Sequence, residues 1–371
     1  MEKYIYENSD WPHFHWDKET IFMKLYDVKL LQAKLLGKMS SLGFEIQQEA
    51  SQIIFENEII KTNEIEGEIF ESKHVRSSIS KKLGIAHLQQ TNKNIDGFVD
   101  LIFDATQNYN QEISIQRLFD WHSSLFPTGR NGKYKIAVAQ WRKEENEPMQ
   151  VISGGYGNEK IHFEAPNSKK IDSEMNLFLH YLNTNTSDDL MIKAAIIHLW
   201  FLTIHPFEDG NGRIARNITE YLLAKADQSA LRFYSLSTQI AKDKKNYYLM
   251  LEKSQKGSLD INRWILWFLE SLKNTLIQSE TIIAKTLSKA TFWQKNSQTI
   301  LNNRQAKMLN QLWDDFEGNL TTKKWAIINK CSADTALRDI NDLIAKGILY
   351  KEEKGSRSSS YGLVDLKIIF Y

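Results

Sequence analysis

The chain has 371 residues, more than one hydrophobic core commonly serves, so two or three domains are expected. An apolar fraction of 42% with 11% aromatics excludes intrinsic disorder, and a net charge of +1, from 47 Lys plus Arg against 46 Asp plus Glu, excludes a cationic surface holding nucleic acid along the whole chain. The single cysteine, Cys331, excludes an internal disulfide and points to a reducing compartment, the cytoplasm by expectation.

Only five prolines and 17 glycines punctuate the sequence, and apolar residues recur at spacings of three and four, so the fold is expected to be mainly α. Residues 1–94 open with an aromatic arm (Trp11, Pro12, Phe14, Trp16) whose expected role is packing. It lacks a basic segment followed by an apolar run, and no membrane partner is expected. A helical pattern from Asp17 to Glu66 breaks at Gly43 and stops at Gly67, a C′ residue.

Residues 95–288 read as helical except at 149–164, MQVISGGYGNEKIHFE. There Val151 and Ser153 lead into a glycine turn followed by Ile161 and Phe163, the pattern of a β-hairpin. The stretch from Ala194 to Ile204 is apolar nearly all round, which describes a helix enclosed by others; interrupted by His198, it is too short to span a bilayer. His198 lies about 10 Å along that helix from His205, too far to share a metal, and is expected to be a hydrogen-bonded core residue. Lys289 to Asn303 reads as a linker. Within residues 289–371, helices at 304–317, 322–329 and 333–346 precede a strand, a Ser/Gly turn and a second strand.

The chemistry concentrates in HPFEDGNGRIAR, residues 205–216. Asp209-Gly210-Asn211-Gly212 interrupts the helical pattern, which resumes with Ile214, Ile218, Tyr221 and Leu222 on one side, so a helix-loop-helix corner is expected. Glycines 210 and 212 let backbone N–H groups converge at the N-terminus of the new helix, where the dipole favours an anion. Arg213 and Arg216 share its first turns and lean towards that end. Two arginines and a cradle suit a polyphosphate with a divalent cation, for which Asp209 is the nearest carboxylate and Glu208 the second. His205 has the one side chain here that ordinarily titrates near neutrality and reads as a general base. No GxxxxGK[ST], strand-linked GxGxxG, HExxH or paired CxxC offers another site.

These residues resemble the Fic family signature HPFx[DE]GNGRxxR, which His205, Pro206, Phe207, Asp209, Gly210, Asn211, Gly212, Arg213 and Arg216 match at every specified position. The resemblance implies a Fic-type helical core and transfer of AMP from ATP to a Ser, Thr or Tyr hydroxyl of a protein. It also implies roles: His205 deprotonates the target, Asp209 binds Mg²⁺, and Gly210, Asn211 and Gly212 hold phosphate oxygens. Arg213 and Arg216 grip the outer phosphates, and Phe207 fixes the loop. The hairpin at 149–164 would be the flap on which a protein substrate docks by strand addition. Tyr247 or Tyr248, on the helix after the motif, would line the adenine pocket, with a place in the core as the alternative for either. Self-modification and a homodimer are further expectations on the partner side.

Upstream, Thr62-Asn63-Glu64-Ile65-Glu66-Gly67 resembles the [ST]xxxE[GN] inhibitory motif of the same family, in the class whose inhibitory helix precedes the core. Glu66 sits at a helix C-terminus, where the dipole disfavours its charge unless a cation compensates, and Arg216 is a candidate for that cation. Pairing would withdraw Arg216 from the γ-phosphate.

Residues 333–346 followed by 348–362 resemble the third helix and wing of a winged helix, with Thr335, Arg338, Lys354 and Arg357 as natural DNA contacts. Residues 301–371 hold 11 Lys plus Arg against 9 Asp plus Glu, a net of +2, modest for a duplex binder, so protein contact or target selection is expected ahead of DNA binding. Three readings therefore stand: an autoinhibited adenylyltransferase, a transcription regulator whose middle domain senses nucleotide, and removal of AMP at the same site with Glu66 aligning a water.

Overall fold

Side-chain caps and glycines set where the helices start and stop. In the computed structural model, which describes residues 4–83, 93–143, 148–154, 160–314, 316, 318–352 and 359–365, helix α1 (Lys18–Ser40) begins after Asp17, whose carboxylate accepts from the Glu19 and Thr20 N–H groups. Helix α2 (Phe44–Ile65) begins after Gly43, where the sequence breaks. It ends at Glu66, and Gly67 follows at φ +87°. Next come α3 (Ser72–Lys82), α4 (Lys93–Gln107) and α5 (Ile115–Leu125), the last capped by the Ser114 hydroxyl.

Between α5 and the next helix the chain is not helical. β1 (Arg130–Asn131) and β2 (Tyr134–Lys135) form a tight antiparallel hairpin that the helical reading of this region did not anticipate. Its cause is local: Gly129 and Gly132 adopt φ of +66° and +55°, which end helical winding. β3 (Gln150–Ser153) and β4 (Lys160–Glu164) form the expected hairpin, with a register shift between Val151 and Ile152; its tip, 155–159, lies outside the described residues.

The core follows: α6 (Ile171–Asn183), α7 (Leu190–Ile204), α8 (Asn211–Asp227), α9 (Leu236–Lys242), α10 (Lys244–Ser254) and α11 (Asn262–Lys295). Every residue of α7 from Met191 to Ile204 is buried, as its all-round apolar pattern requires, and each buried aliphatic side chain contributes about 1.5–3 kcal/mol. Trp264 of α11 donates to the Ala195 carbonyl at 2.7 Å, and Lys193 reaches the Thr184 carbonyl at 2.6 Å, while Trp200 Nε1 has no hydrogen-bond partner among the described residues. His198 ties three helices, meeting Thr219 Oγ1 and the Tyr247 hydroxyl at 2.9 Å each, and burial pushes its pKa down to about 3.

The aromatic arm packs, as expected. Trp11 and Phe14 meet Trp200 edge-on, while Tyr6 donates to the Glu164 carbonyl at 3.0 Å and so braces β4 from behind.

The chain forms two compact units, Met1–Glu280 and Thr281–Tyr371. The boundary expected at 94/95 falls inside the first. Phe55 of α2 stacks near Phe103 of α4 at 4.9 Å, and the buried Glu58 carboxylate accepts from Ser235 Oγ and the Ser237 N–H, so the N-terminal helices share the core of the middle region. The expected linker at 289–303 is helical in its first half, because α11 continues to Lys295 with Phe292 buried among the second unit's core residues.

The second unit orders α12 (Asn303–Trp313), β5 (Leu320–Thr321), α13 (Thr322–Asn329), α14 (Ala333–Ala345), β6 (Leu349–Lys351) and β7 (Ser360–Leu363), with an antiparallel sheet ordered β5-β7-β6. Asp339 accepts from Asn302 and Arg304, fixing α14 to α12. Lys354 and Arg357 lie outside the described residues. No described helix is long and apolar enough to cross a membrane.

Candidate active site

His205 ends α7 in the left-handed region, φ 52°, ψ 59°. A non-glycine residue there costs on the order of 1–3 kcal/mol and persists only where its surroundings fix it. They do: the His205 N–H donates to the Phe201 carbonyl at 2.9 Å, and the His205 carbonyl accepts from Arg142 Nε at 2.8 Å. The turn aims the imidazole out of the helix. Its Nδ1 is 3.3 Å from the Leu202 carbonyl, which assigns the proton to Nδ1 and leaves Nε2 as the basic lone pair. Burial, partly offset by that bond, lowers its pKa to about 4, so the ring is neutral at pH 7.

The loop from Pro206 to Gly210 is closed by one amide. Asn211 Oδ1 accepts from the Phe207 N–H at 3.0 Å, and its Nδ2 donates to the Phe207 carbonyl at 2.8 Å. The Asn211 side chain is thus consumed in shaping the corner, and only its backbone N–H can face an anion. Phe207 is 0% exposed, and its ring packs inward beneath the loop. Gly210 stands at φ +80°, and the first bond of α8 runs from the Ile214 N–H to the Gly210 carbonyl. The N–H groups of Asn211, Gly212 and Arg213 therefore precede the helical ladder. A Cβ on Gly212 would meet Glu66 Oε1, so a larger residue there would displace the Glu66 carboxylate from its present place.

Arg216, 2% exposed, reaches the end of α2. Its Nε donates to Thr62 Oγ1 at 2.7 Å, and its Nη2 to the Thr62 carbonyl at 3.0 Å and to Glu66 Oε1 at 2.7 Å. Burial works against its charge, but the Glu66 carboxylate outweighs this and holds its pKa above the ordinary value. Among the described residues its buried Nη1 makes no hydrogen bond of good geometry, the Tyr247 hydroxyl being a polar neighbour of the guanidinium. Arg213, 3% exposed, pairs with Glu68 Oε1 at 2.8 Å and lies 3.5 Å from Asp209 Oδ1, with Nε buried and unpaired. Asp209 Oδ1 also accepts from the Gly210 N–H at 2.5 Å, and its Oδ2 from Asn131 at 2.6 Å. Among the described residues no three His, Cys, Asp or Glu gather to hold a metal.

Of the two tyrosines, Tyr247 is 1% exposed, with its hydroxyl 2.9 Å from His198 Nε2 and beside the Arg216 guanidinium. Tyr248 is 39% exposed, with its hydroxyl 3.5 Å from the Ile65 carbonyl.

Several residues here carried no sequence signal. His122 of α5 stacks on Phe207 at 4.2 Å, sets Nε2 3.2 Å from the Asp209 carbonyl and accepts from the Ala139 N–H through Nδ1 at 3.2 Å. Burial lowers its pKa to about 4, fitting the neutral tautomer those bonds require. Arg142, also buried, links the His205 carbonyl to that of Pro166, just beyond β4. Glu68 and Asn131 neighbour the signature only in space. Glu208 accepts from the Ala137 N–H, which occupies the second carboxylate.

On the hairpin, Ser153 Oγ meets His162 Nε2 at 2.6 Å and His162 Nδ1 meets Glu252 at 2.7 Å, which fastens β4 to α10. Ile152 and Ile161 are 55% and 49% exposed.

Two helices, α7 and α8, thus meet at a glycine corner with His205 at one lip and Arg213 and Arg216 at the other. Residues 112–223 match the model of the Fic/DOC family, and residues 4–85 match a domain of unknown function, DUF4172. The chain is similar in fold to a Fic family protein from Desulfovibrio desulfuricans G20, with a TM-score of 0.54, 16% identity, and coverage of 94% of this chain and 97% of that one. It is likewise similar to a Fic domain-containing signaling protein from Bacteroides thetaiotaomicron VPI-5482, with a TM-score of 0.50, 18% identity, and coverage of 70% and 96%. The corner at 205–216 thus lies within a Fic/DOC family domain.

Proposed function

We propose that the chain is a protein adenylyltransferase that moves AMP from ATP to a Ser, Thr or Tyr hydroxyl, and that Glu66 holds it in a resting state. The observation that carries this reading is the pairing of Arg216 with Glu66 at 2.7 Å while Arg216 Nη1 stays buried and unsatisfied. A buried guanidinium with an orphan donor beside a helix N-terminus suits a polyanion that the carboxylate displaces or admits.

ATP fits the donor set: the N–H groups of Gly212 and Arg213 and the two guanidinium groups can take phosphate oxygens, and Tyr248 offers an exposed ring to the base. Asp209, partly exposed, is the carboxylate that would hold Mg²⁺ together with phosphate oxygens; bound there, the ion would neutralise developing charge. His205 Nε2 accepts the acceptor hydroxyl's proton. The oxygen then bonds to the α-phosphorus, the bond from that phosphorus to the bridging oxygen breaks, and pyrophosphate leaves. Asn211 and His122 keep the loop in place, and Arg142 fixes the backbone of His205. The hairpin β3–β4, with its exposed isoleucines, is where an extended target strand would dock.

Labelled transfer tests this reading. Glu66→Gly is expected to label protein more than the parent chain does, and His205→Ala to abolish labelling; equal labelling by the His205 variant would defeat the assignment. Removal of AMP is the reverse use of the same groups, with Glu66, 31% exposed, positioned to align a water; loss of label from an adenylylated target without ATP would identify it.

For the second unit, the element order and sheet support a winged-helix reading. The net charge of only +2 over residues 301–371 favours protein contact and target selection over DNA. Salt-sensitive, sequence-dependent retardation of a duplex by the full chain would favour the regulator instead.

A further inference from the structure

The short hairpin β1–β2 is charged in a way the fold does not explain. From residue 121 to 143 the sequence contains no Asp or Glu yet carries Arg130, Lys133, Lys135, Arg142 and Lys143; Asp120 precedes this stretch, and Glu144, Glu145 and Glu147, outside the described residues, follow it. Arg142 is buried and already employed. Arg130, Lys133 and Lys135 are exposed, and among the described residues no carboxylate pairs with any of them.

Their arrangement is unfavourable by itself. The register sets Arg130 directly opposite Lys135, and like charges in that position destabilise a strand pair. Tyr134 beside them is 79% exposed. Nothing packs on the turn: a Cβ on Gly129 or Gly132 would meet no atom within 4 Å. A hairpin of two-residue strands, with like charges across it and an aromatic ring in water, gains little from its own contacts.

What holds it is the catalytic loop. Asn131 donates to Asp209 Oδ2 at 2.6 Å, the Ala137 N–H to Glu208 Oε2 at 2.9 Å, and the Arg142 N–H to the Pro206 carbonyl at 2.8 Å. Both ends are therefore tied to residues 206–209, and the cationic tip stands beside the loop that follows His205. Of the loop's own carboxylates, Asp209 meets the turn end of the hairpin through Asn131 and Glu208 meets the chain just past β2 at Ala137.

We propose that the 130–135 hairpin is a docking site for an acidic segment of the protein that presents its hydroxyl to His205. This rests on the transferase reading and names its substrate class: a Ser, Thr or Tyr flanked by Asp or Glu. Carboxylates of such a segment would relieve the Arg130–Lys135 opposition through charge-assisted hydrogen bonds, and Tyr134 would cover the neighbouring aliphatic surface.

Equilibrium binding without ATP tests the docking apart from transfer. Dye-labelled peptides with a central serine flanked by glutamates, or by glutamines as neutral isosteres, are titrated with the wild-type chain and followed by fluorescence anisotropy. The glutamate peptide should bind about tenfold more tightly than the glutamine peptide, and the preference should fade as salt rises from roughly 0.05 to 0.5 M. The triple variant Arg130→Gln/Lys133→Gln/Lys135→Gln should lose that preference, while its ATP affinity by calorimetry changes less than about twofold. Equal affinity for the two peptides would overturn the proposal. So would undiminished glutamate-peptide binding by the triple variant, or a parallel loss of ATP affinity, which would make the patch part of the nucleotide site. A chain that binds the acidic peptide yet never transfers AMP would sink the transferase reading alone.

Discussion

Replacing Glu66 by glycine separates the resting contact from the rest of the fold, and its cost can be worked from the geometry. Arg216 is 2% exposed and would keep only the Thr62 hydroxyl and carbonyl as acceptors, with Nη1 unpaired in any case. Removing one partner of a fully buried ion pair costs about 3–5 kcal/mol. The Glu66 side chain is 31% exposed, so water reaches the freed edge of the guanidinium and screens it, which brings the expected loss to about 1–2 kcal/mol. For the unit spanning Met1–Glu280 that corresponds to a fall in Tm of about 2–6 °C without nucleotide. The sign reverses with Mg-ATP, because a ligand at a hundredfold its Kd adds about 2.7 kcal/mol, and the variant has a free guanidinium to offer it. Differential scanning fluorimetry with and without Mg-ATP reads both effects. Glu66→Gln, which keeps size and loses charge, should behave like the glycine variant. A Glu66→Gly protein that melts with the parent and gains no more from ATP would refute the idea that this contact withholds Arg216.

Glu68 engages Arg213 as Glu66 engages Arg216, so Glu68→Ala added to Glu66→Gly should lower KM for ATP several-fold beyond the single change; an unchanged KM in the double variant would show Glu68 to be incidental. His122→Phe retains the ring against Phe207 and orphans the Asp209 carbonyl and the Ala139 N–H, so stability should fall by about 1–3 kcal/mol in urea titrations, with kcat falling alongside. An active variant of parental stability would remove His122 from the positioning of the loop. Three histidines, two buried and His205 partly so, set the acid response: folded pKa values of about 4 for His122 and His205 and about 3 for His198 lie below the ordinary 6.5. The unfolded chain takes up these protons first, so stability is full above about pH 6.5 and declines as pH falls towards 4, by up to about 1.4 kcal/mol per pH unit for each group. Labelling should likewise stay flat from about pH 6 to 8, and a midpoint near 6.5 would contradict the partly buried setting of His205.

Much of the site was legible because one helical turn fixes which side chains meet. HPFEDGNGRIAR specifies a buried helix, a glycine corner and two arginines three apart, and the structure brings Arg213 and Arg216 to the end of α2. Glu66 was readable from its place before Gly67. What remained hidden depends on contacts across the fold. His122 lies 83 positions before His205 with nothing local to mark it, and Arg142 in sequence is one more cation beside Lys143. Tyr247 and Tyr248 differ by one residue, and only the packing of α10 on α7 sends the first to His198 and the second to the surface. The β1–β2 hairpin escaped because strands of two residues have no periodicity; Gly129 and Gly132 were the available signal. The linker expected at 289–303 failed since polar composition outweighed Phe292 and Trp293, which anchor the end of α11.

The central claim is that His205 drives attack of a hydroxyl on the α-phosphorus of ATP. The most direct measurement incubates Glu66→Gly, with and without His205→Ala, with Mg-ATP labelled at the α or the γ position, and locates any covalent label by peptide mass spectrometry. The account predicts an AMP adduct on a Ser, Thr or Tyr from the α label only, lost with His205. Transfer of the γ label, or an AMP adduct that survives the His205 change, would contradict it.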